Sequence, residues 1–405
     1  MPFQIRQLGA ADKTEAITLG REAFGFPVGP QHGDAQRRPW PPPGATEWGT
    51  FDGATLAAKA ARHAYRSHFG GALVPTCGLA GVTVAAEYRG RGLLAPLLAQ
   101  MLEHAHGEGD VISTLFASAP GIYRRFGFEL IASQDTVEIA STVAAEVRPG
   151  TPLVRTRRAT AADFDAVFEV YTQWASKQNG PLTRTGPCFP AVDLTEEFTG
   201  VTLAVGPDGQ VLGYASWDRG SGDGADAVLN VVEILALAPE AYRALWRTLG
   251  SFSAVVGRIR LRTSGTDVAR LFLPPRQWRT TSVNPYMLRV DDVAAAFSVR
   301  EVPVRREIIF AVAGDGLGSM DGTYRLRPPG EADDDAPACS RIGAVGDAPP
   351  DAPVYTPGGL ALAWSGVQSS ANIRMAGGLS RGNAATDAVL DQALGGWAVH
   401  IRDDF

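Results

Sequence analysis

Between residues 82 and 128 the hydrophobic positions change their period twice. Val82 and Val84 alternate with Thr83 at the two-residue period of a strand, and the run Cys77 to Val84 reads as a central strand. Leu93, Leu94, Leu97, Leu98, Met101 and Leu102 then recur at helical spacing, which predicts a helix from about Leu93 to His106 with one apolar face. Val111 to Ala117 is a second apolar strand, and Ser118 ends it. A short helix over 120–126 carrying Tyr123 and return strands from Phe128 to Ala140 complete the pattern. Upstream, Phe3 to Leu8 is a short alternating strand, and Gly9-Ala-Ala-Asp12 opens a helix to about Phe24 with Asp12 as its expected cap. The stretch from Phe24 to Pro43 is too rich in Pro and Gly for regular structure. A loop of that length suits a lid or pocket wall, so Phe26, Trp40 and Trp48 are candidates to line a substrate cavity, with simple packing onto the core as the competing reading. Lys59 to Phe69, polar and aromatic by turns, is expected to be an edge strand.

The pattern then starts again. Val154-Arg-Thr-Arg-Arg-Ala-Thr-Ala-Ala-Asp163 echoes Ile5-Arg-Gln-Leu-Gly-Ala-Ala-Asp12, and a helix with Phe164, Val167, Phe168 and Tyr171 on one face follows. A hairpin from Thr202 to Trp217 turns at Pro207-Asp-Gly209, Val228 to Leu237 is a strand, and Pro239-Glu240 opens a helix containing Leu245, Trp246 and Leu249. Ser282 to Val290 closes this unit. From about Asp291 the composition shifts to short helices and strands, with an acidic loop at Glu331–Asp335. The end, Trp397 to Phe405, reads as an alternating strand. Its aromatic terminus predicts docking, because most termini fray into polar tails.

Composition narrows the class of protein. The 405 residues are 45 % hydrophobic and 20 % charged, ordinary for a soluble globular chain. A net charge of −6 carries no electrostatic footprint for nucleic acid. No long apolar run or signal pattern occurs, so neither membrane insertion nor export is expected, and the expected location is cytoplasmic. The three cysteines, Cys77, Cys188 and Cys339, are scattered without metal spacing and read as reduced thiols. His104 and His106 point to different faces of a helix, so no metal site is expected, and the six histidines read as structural or surface residues.

The candidate chemistry lies where the strand meets the helix. Arg89-Gly90-Arg91-Gly92 sits between them; the glycines allow close backbone approach, the free N–H groups of the helix start attract an anion, and the arginines add charge. These parts suit a pyrophosphate. A Walker loop is absent, and the third Gly of a dinucleotide turn is missing. Glu87 is read as a cap beside this turn.

The strand with Arg89-Gly-Arg-Gly92, followed by Tyr123-x-x-x-Gly127-Phe128, resembles the acetyl-coenzyme A loop and later tyrosine motif of the GCN5-related N-acetyltransferases, the GNAT superfamily. The Ala241-Tyr-Arg-Ala-Leu-Trp-Arg247 helix and the terminal Asp404-Phe405 extend the likeness over nearly the whole chain to the enhanced intracellular survival (Eis) family. The resemblance implies an α/β (α+β) fold: a cofactor-binding GNAT domain at 1–150, a second GNAT-like domain without the cofactor loop at 151–290, and a sterol-carrier-protein-like domain at 291–405. It implies a homo-hexamer and acetylation of amines on polycationic small molecules such as aminoglycosides. It also assigns roles. The backbone of Val82, Thr83 and Val84 would bind the acetyl and pantetheine part of acetyl-CoA, with Ser118 and Ala119 along the thioester arm. Arg89, Gly90, Arg91, Gly92, Leu93, Leu94 and Ala95 would hold the pyrophosphate. Tyr123 would be the general acid and the α-carboxylate of Phe405 the general base.

The assigned chemistry is coherent. A phenol near pH ~10 outlasts a thiol near ~8.5 and so can keep its proton until a thiolate forms. A free α-carboxyl, at about 3.3–3.7, is a weak base in water but a stronger one in a dry pocket. Asp403 and Asp404 beside it are expected to attract a cationic substrate, with Asp404 the substrate-contact candidate. The Phe24–Pro27 wall offers no acid of its own before Asp34, which leaves the amine range open. Two other readings stay open: acetylation of protein lysines, and a non-enzymatic carrier of an apolar ligand on a GNAT scaffold.

Overall fold

The computed structural model describes residues 2–25, 39–148, 153–189, 197–264, 267–328 and 337–405. Phe26 and the acidic loop Glu331–Asp335 lie outside them.

The first repeat begins with β1 (Gln4–Gln7) and α1 (Lys13–Phe24). Asp12 does not cap α1 through its side chain. It accepts from the Gly9 N–H at 2.8 Å and forms a two-pronged ion pair with Arg6 (2.7 and 2.9 Å), which holds its carboxyl down at about 2. Asp163 repeats the arrangement with Arg157 (2.6 and 2.8 Å) and the Thr160 N–H (2.8 Å). The echo read in the sequence is therefore one local structure built twice.

The strands β2 (Ala45–Asp52), β3 (Thr55–Phe69), β4 (Ala72–Val84), β5 (Ile112–Phe116) and β6 (Glu129–Ala140) follow, with α2 (Leu94–Gly107) before β5 in the chain, α3 (Pro120–Arg124) after it and α4 (Ser141–Ala145) after β6. The second repeat supplies β7 (Arg155–Arg158), α5 (Phe164–Ala175), β8 (Gly200–Val205), β9 (Val211–Arg219), β10 (Val228–Ala236), α6 (Pro239–Gly250), β11 (Arg258–Ser264) and β12 (Arg279–Val290). All twelve strands form one sheet in the order β1-β2-β3-β4-β5-β12-β6-β11-β10-β9-β8-β7. Each repeat thus lends its last strand to the other: β12 lies between β5 and β6, and β6 lies against β11.

β3 is not an edge strand. It is paired on both sides, with β2 and β4. Its charges misled the reading because each finds a buried partner: Lys59 meets Glu47 at 3.3 Å and Arg62 meets Asp110 at 2.6 Å. A paired charge tolerates a depth that an isolated one does not.

The remaining chain folds α7 (Val293–Val299), α8 (Pro357–Ser365), α9 (Ser370–Met375) and α10 (Ala384–Leu394) with a separate five-stranded sheet. That sheet comprises β13 (Ile308–Val312), β14 (Gly322–Leu326), β15 (Cys339–Gly343), β16 (Pro353–Tyr355) and β17 (Leu379–Arg381), in the order β15-β14-β13-β16-β17. Phe310, Tyr324 and Trp364 share one core with Phe69, Ile112, Tyr286 and Leu288 of the large sheet. The end of the chain does not pair as a strand beyond a single bridge, Asn179 to Val399. It crosses the middle of the large sheet, where Gln134 of β6 donates to the Arg402 carbonyl (3.1 Å) and Arg262 of β11 meets Asp404 (2.7 Å). Among the described residues no helix is long and apolar enough to cross a membrane.

Candidate active site

Two irregularities open the first repeat's sheet. β4 and β5 pair in parallel only from Thr76↔Ile112 to Gly78↔Thr114, and β4 then runs on to Val84 without β5 beside it. Between Lys59↔Thr83 and Ala61↔Ala80 the β4 side carries one extra residue, a bulge at Gly81–Val82. Backbone groups of β4 facing the gap are released from the ladder and can serve a ligand. Val82 and Val84 pack partly against the α2 core while Thr83 is buried.

The turn after β4 is exposed. Arg89 to Gly92 stand free of the core, and a Cβ at Gly90 or Gly92 would meet nothing within 4 Å. Both glycines have positive φ (77° and 74°), a conformation other residues rarely adopt. Leu93 is buried and is the N-cap of α2, whose inner face is Leu97, Leu98, Met101 and Leu102. Leu94 is partly buried and Ala95 exposed. This is an open cradle of peptide N–H groups with two exposed guanidinium groups, and it fits a diphosphate. Glu87 lies exposed on a 3-10 turn, Ala86–Tyr88, and does not cap α2.

Across the gap, Ser118 and Ala119 are exposed ahead of α3. Tyr123 packs edge-on to Phe128 (6.1 Å between ring centres) and is half-buried against the core under α2. Burial pushes its phenol above the ordinary tyrosine value. The turn behind it is fixed from below. Arg289 of β12, 1 % exposed, donates to the Phe126 carbonyl (2.6 Å) and to Asp315 (2.8 and 2.9 Å), and it also meets Asp291 at 2.8 Å. Gly127 has φ 79°, and a Cβ there would come within 2.7 Å of Arg289 and 2.6 Å of Pro357. Replacing Arg289 by Met strands the Asp315 carboxylate in the interior. We expect a loss of about 3–5 kcal/mol in urea unfolding; a loss below about 1 kcal/mol would show that the ion pair carries little.

The chain's last residue reaches the same gap. The Phe405 ring packs against Tyr65 (5.0 Å), Phe116 (5.7 Å), Tyr286 (6.3 Å) and His63 (6.4 Å). It lies over Gly78, where a Cβ would come within 3.1 Å of it. Gly78 is the last β4 residue paired with β5, so the chain ends where the strands part.

Asp403 is not free to draw in a cation, as the sequence suggested. Arg184 binds it (2.7 Å), Tyr171 donates to it (3.1 Å), and the same guanidinium holds Glu233 at 2.8 and 2.9 Å. Burial pushes Asp403 up, and Arg184 only partly offsets this because one cation serves two carboxylates. Burial also works against Glu233, but Arg184 dominates and takes it down to about 2. Beside this group lies a cavity of about 530 Å³ lined by aromatic rings, by Asp165, Glu197, Glu233 and Asp403, and by Arg184 and Arg262. Four carboxylates against two guanidinium groups make it net acidic.

Trp40 packs with Leu8, Leu19, Phe51 and Leu56 on the α1 side. Asp404 is exposed and paired with Arg262. Sequence reading missed His63, stacked on Tyr65 at 5.6 Å, and the Arg184–Glu233 pair. The lone Glu233 inside an apolar strand was the available signal.

Two acetyltransferase (GNAT) domain models match the chain, one over residues 4–131 and one over 180–290. An uncharacterized N-acetyltransferase of Streptomyces avermitilis is 30 % identical over 300 residues, covering 70 % of this chain and 72 % of that protein. The N-acetyltransferase Eis of Mycobacterium tuberculosis is 30 % identical over 248 residues, covering 57 % and 59 %. The solved GCN5-related N-acetyltransferase of Kribbella flavida superposes over 100 % of this chain and 98 % of its own, with a TM-score of 0.80 at 24 % identity. Eis1 of Mycobacterium abscessus matches over the full length of both chains with a TM-score of 0.75 at 21 % identity, a likeness of fold. The chain is an N-acetyltransferase with two GNAT domains. Within that superfamily it belongs to the Eis-like family.

Proposed function

We propose that the protein acetylates primary amines of polycationic small molecules such as aminoglycosides, with Tyr123 as general acid and the Phe405 carboxylate as general base. The observation that carries this reading is the chain end over Gly78, at the mouth of the β4–β5 gap and beside a net-acidic, aromatic cavity. Acetyl-CoA supplies a thioester carbonyl and, as the acetyl group leaves, a thiolate. The backbone of Val82 to Val84 and of Ser118–Ala119 lies along the thioester arm, and residues 89 to 95 bind the diphosphate. The Phe405 carboxylate takes the proton of the incoming ammonium, directly or through one water. The neutral nitrogen bonds to the acetyl carbon, the carbon–sulfur bond breaks, Tyr123 O–H protonates the departing sulfur, and the surplus proton of the new amide nitrogen passes through water to the Tyr123 phenolate. Asp404 and the two cavity acids that Arg184 does not hold, Asp165 and Glu197, orient the remaining ammonium groups. The chain divides at about 150 and 290, its last part serves as a sterol-carrier-protein-like domain, and the working form is a cytoplasmic homo-hexamer.

A free-thiol release assay over aminoglycosides, linear polyamines and lysine peptides tests the substrate class. Turnover is expected with the first two and not the third. Turnover with peptides alone would make this a protein-lysine acetyltransferase. No turnover, with no thermal stabilisation by acetyl-CoA, would leave a scaffold that carries another ligand.

A further inference from the structure

The second repeat has its own gap. β10 and β11 pair in parallel from Val228↔Arg258 to Val231↔Leu261 and then part, as β4 and β5 do. A cavity of about 570 Å³ opens there, bounded by the end of β10, the start of α6 and residues 398–402 of the chain's tail. It is not a second diphosphate site. β10 enters α6 through Leu237-Ala238, with neither the glycines nor the arginines of the first repeat's turn.

What marks this cavity is a buried cation with unused donors. Arg402 is 6 % exposed and lines it. Its guanidinium lies over the Trp174 ring (5.0 Å), and its Nε and Nη1 have no hydrogen-bond partner among the described residues. The nearby acids are committed. Asp267, also in the wall, accepts from Tyr242 O–H (2.7 Å), Thr263 O–H (2.5 Å) and the Ala269 N–H (2.8 Å). Glu233 is held by Arg184 and Tyr214. His400 is bonded to Ser264 (2.8 Å), and burial, with Arg402 adding to it, lowers its pKa to about 4, so it is neutral near pH 7. Arg243 adds a second positive charge over Phe272 (5.1 Å). A buried guanidinium with unmet donors is costly, and an anion that accepts from it removes that cost. Apart from Gln178, the rest of the wall, including Leu237, Leu271 and Phe272, is apolar.

We propose that this cavity binds a small organic carboxylate with an aromatic or short aliphatic body. Its carboxylate accepts from Arg402 Nε–H and Nη1–H, and its body packs against Phe272 and Leu237. The site is independent of the acetyl-transfer reading.

The probe is 4-fluorophenylacetate, followed by fluorine NMR with the full-length protein, first alone and then with saturating acetyl-CoA. Saturable binding is expected, weakened about 10- to 100-fold by Arg402→Met. Leu271→Glu, at an 85 % exposed rim position, leaves the core alone and sets a carboxylate against the ligand, so it too should weaken binding. It decides the matter if Arg402→Met does not fold. No saturable binding up to about 10 mM, displacement of the probe by acetyl-CoA, or wild-type affinity in Arg402→Met would overturn the proposal.

Discussion

Tyr123→Phe is expected to lower kcat for thiol release by about 10²–10⁴-fold while leaving the affinity for acetyl-CoA nearly unchanged. The ring is retained, so the contact with Phe128 survives and only the O–H is lost. The pH profile adds an independent check. An acid works while it holds its proton, below its pKa, and fails above it. Burial raises the Tyr123 phenol above the ordinary value of 10.0, so any alkaline loss of kcat due to this group falls above pH 10. The same shift favours folding below the unfolded phenol's pKa, and that contribution fades as pH rises through the folded one. A variant with kcat within threefold of wild type would leave Tyr123 as a packing residue and pass proton delivery to solvent.

The strand–turn–helix around Arg89 to Gly92 was legible because it is local: period two, then turn residues, then period 3.6 within one stretch of chain. The repeat was legible for the same reason, since Arg6–Asp12 and Arg157–Asp163 are contacts six residues apart. The exchange of β6 and β12 was not. Periodicity tells which face of a strand is buried, not which strand lies beside it, and β12 reaches its partners across more than a whole domain of chain. Charge was misread in both directions. Lys59 and Arg62 made β3 look exposed although each has a buried acid, and Asp403 looked like a free anion although Arg184 holds it. Arg184 itself lies between helix and strand with no periodic neighbour to announce it. Phe405 was legible as a docked end, and its neighbours His63, Tyr65, Phe116 and Tyr286 come from three strands that only the fold brings together.

Extending the chain by two glycines past Phe405 separates the ring from the carboxylate. The ring keeps its place among Tyr65, Phe116 and Tyr286, while the carboxylate at that position becomes an amide that cannot take a proton from an ammonium. We expect kcat to fall by about 10²-fold or more, with acetyl-CoA binding preserved because the cradle at residues 89 to 95 is untouched. Phe405→Leu makes the opposite cut. It keeps a terminal carboxylate but gives up the aromatic contacts that position it, so the loss should be smaller and include a rise in KM for the amine. His63 sharpens the comparison. Its ring centre is 6.4 Å from that of Phe405, and burial, with Lys59 adding to it, lowers its pKa, so it is neutral near pH 7 and able to accept a proton. If the extended protein turns over amines at the wild-type rate, the terminal carboxylate is not the base, and His63→Ala becomes the variant that should abolish acetyl transfer.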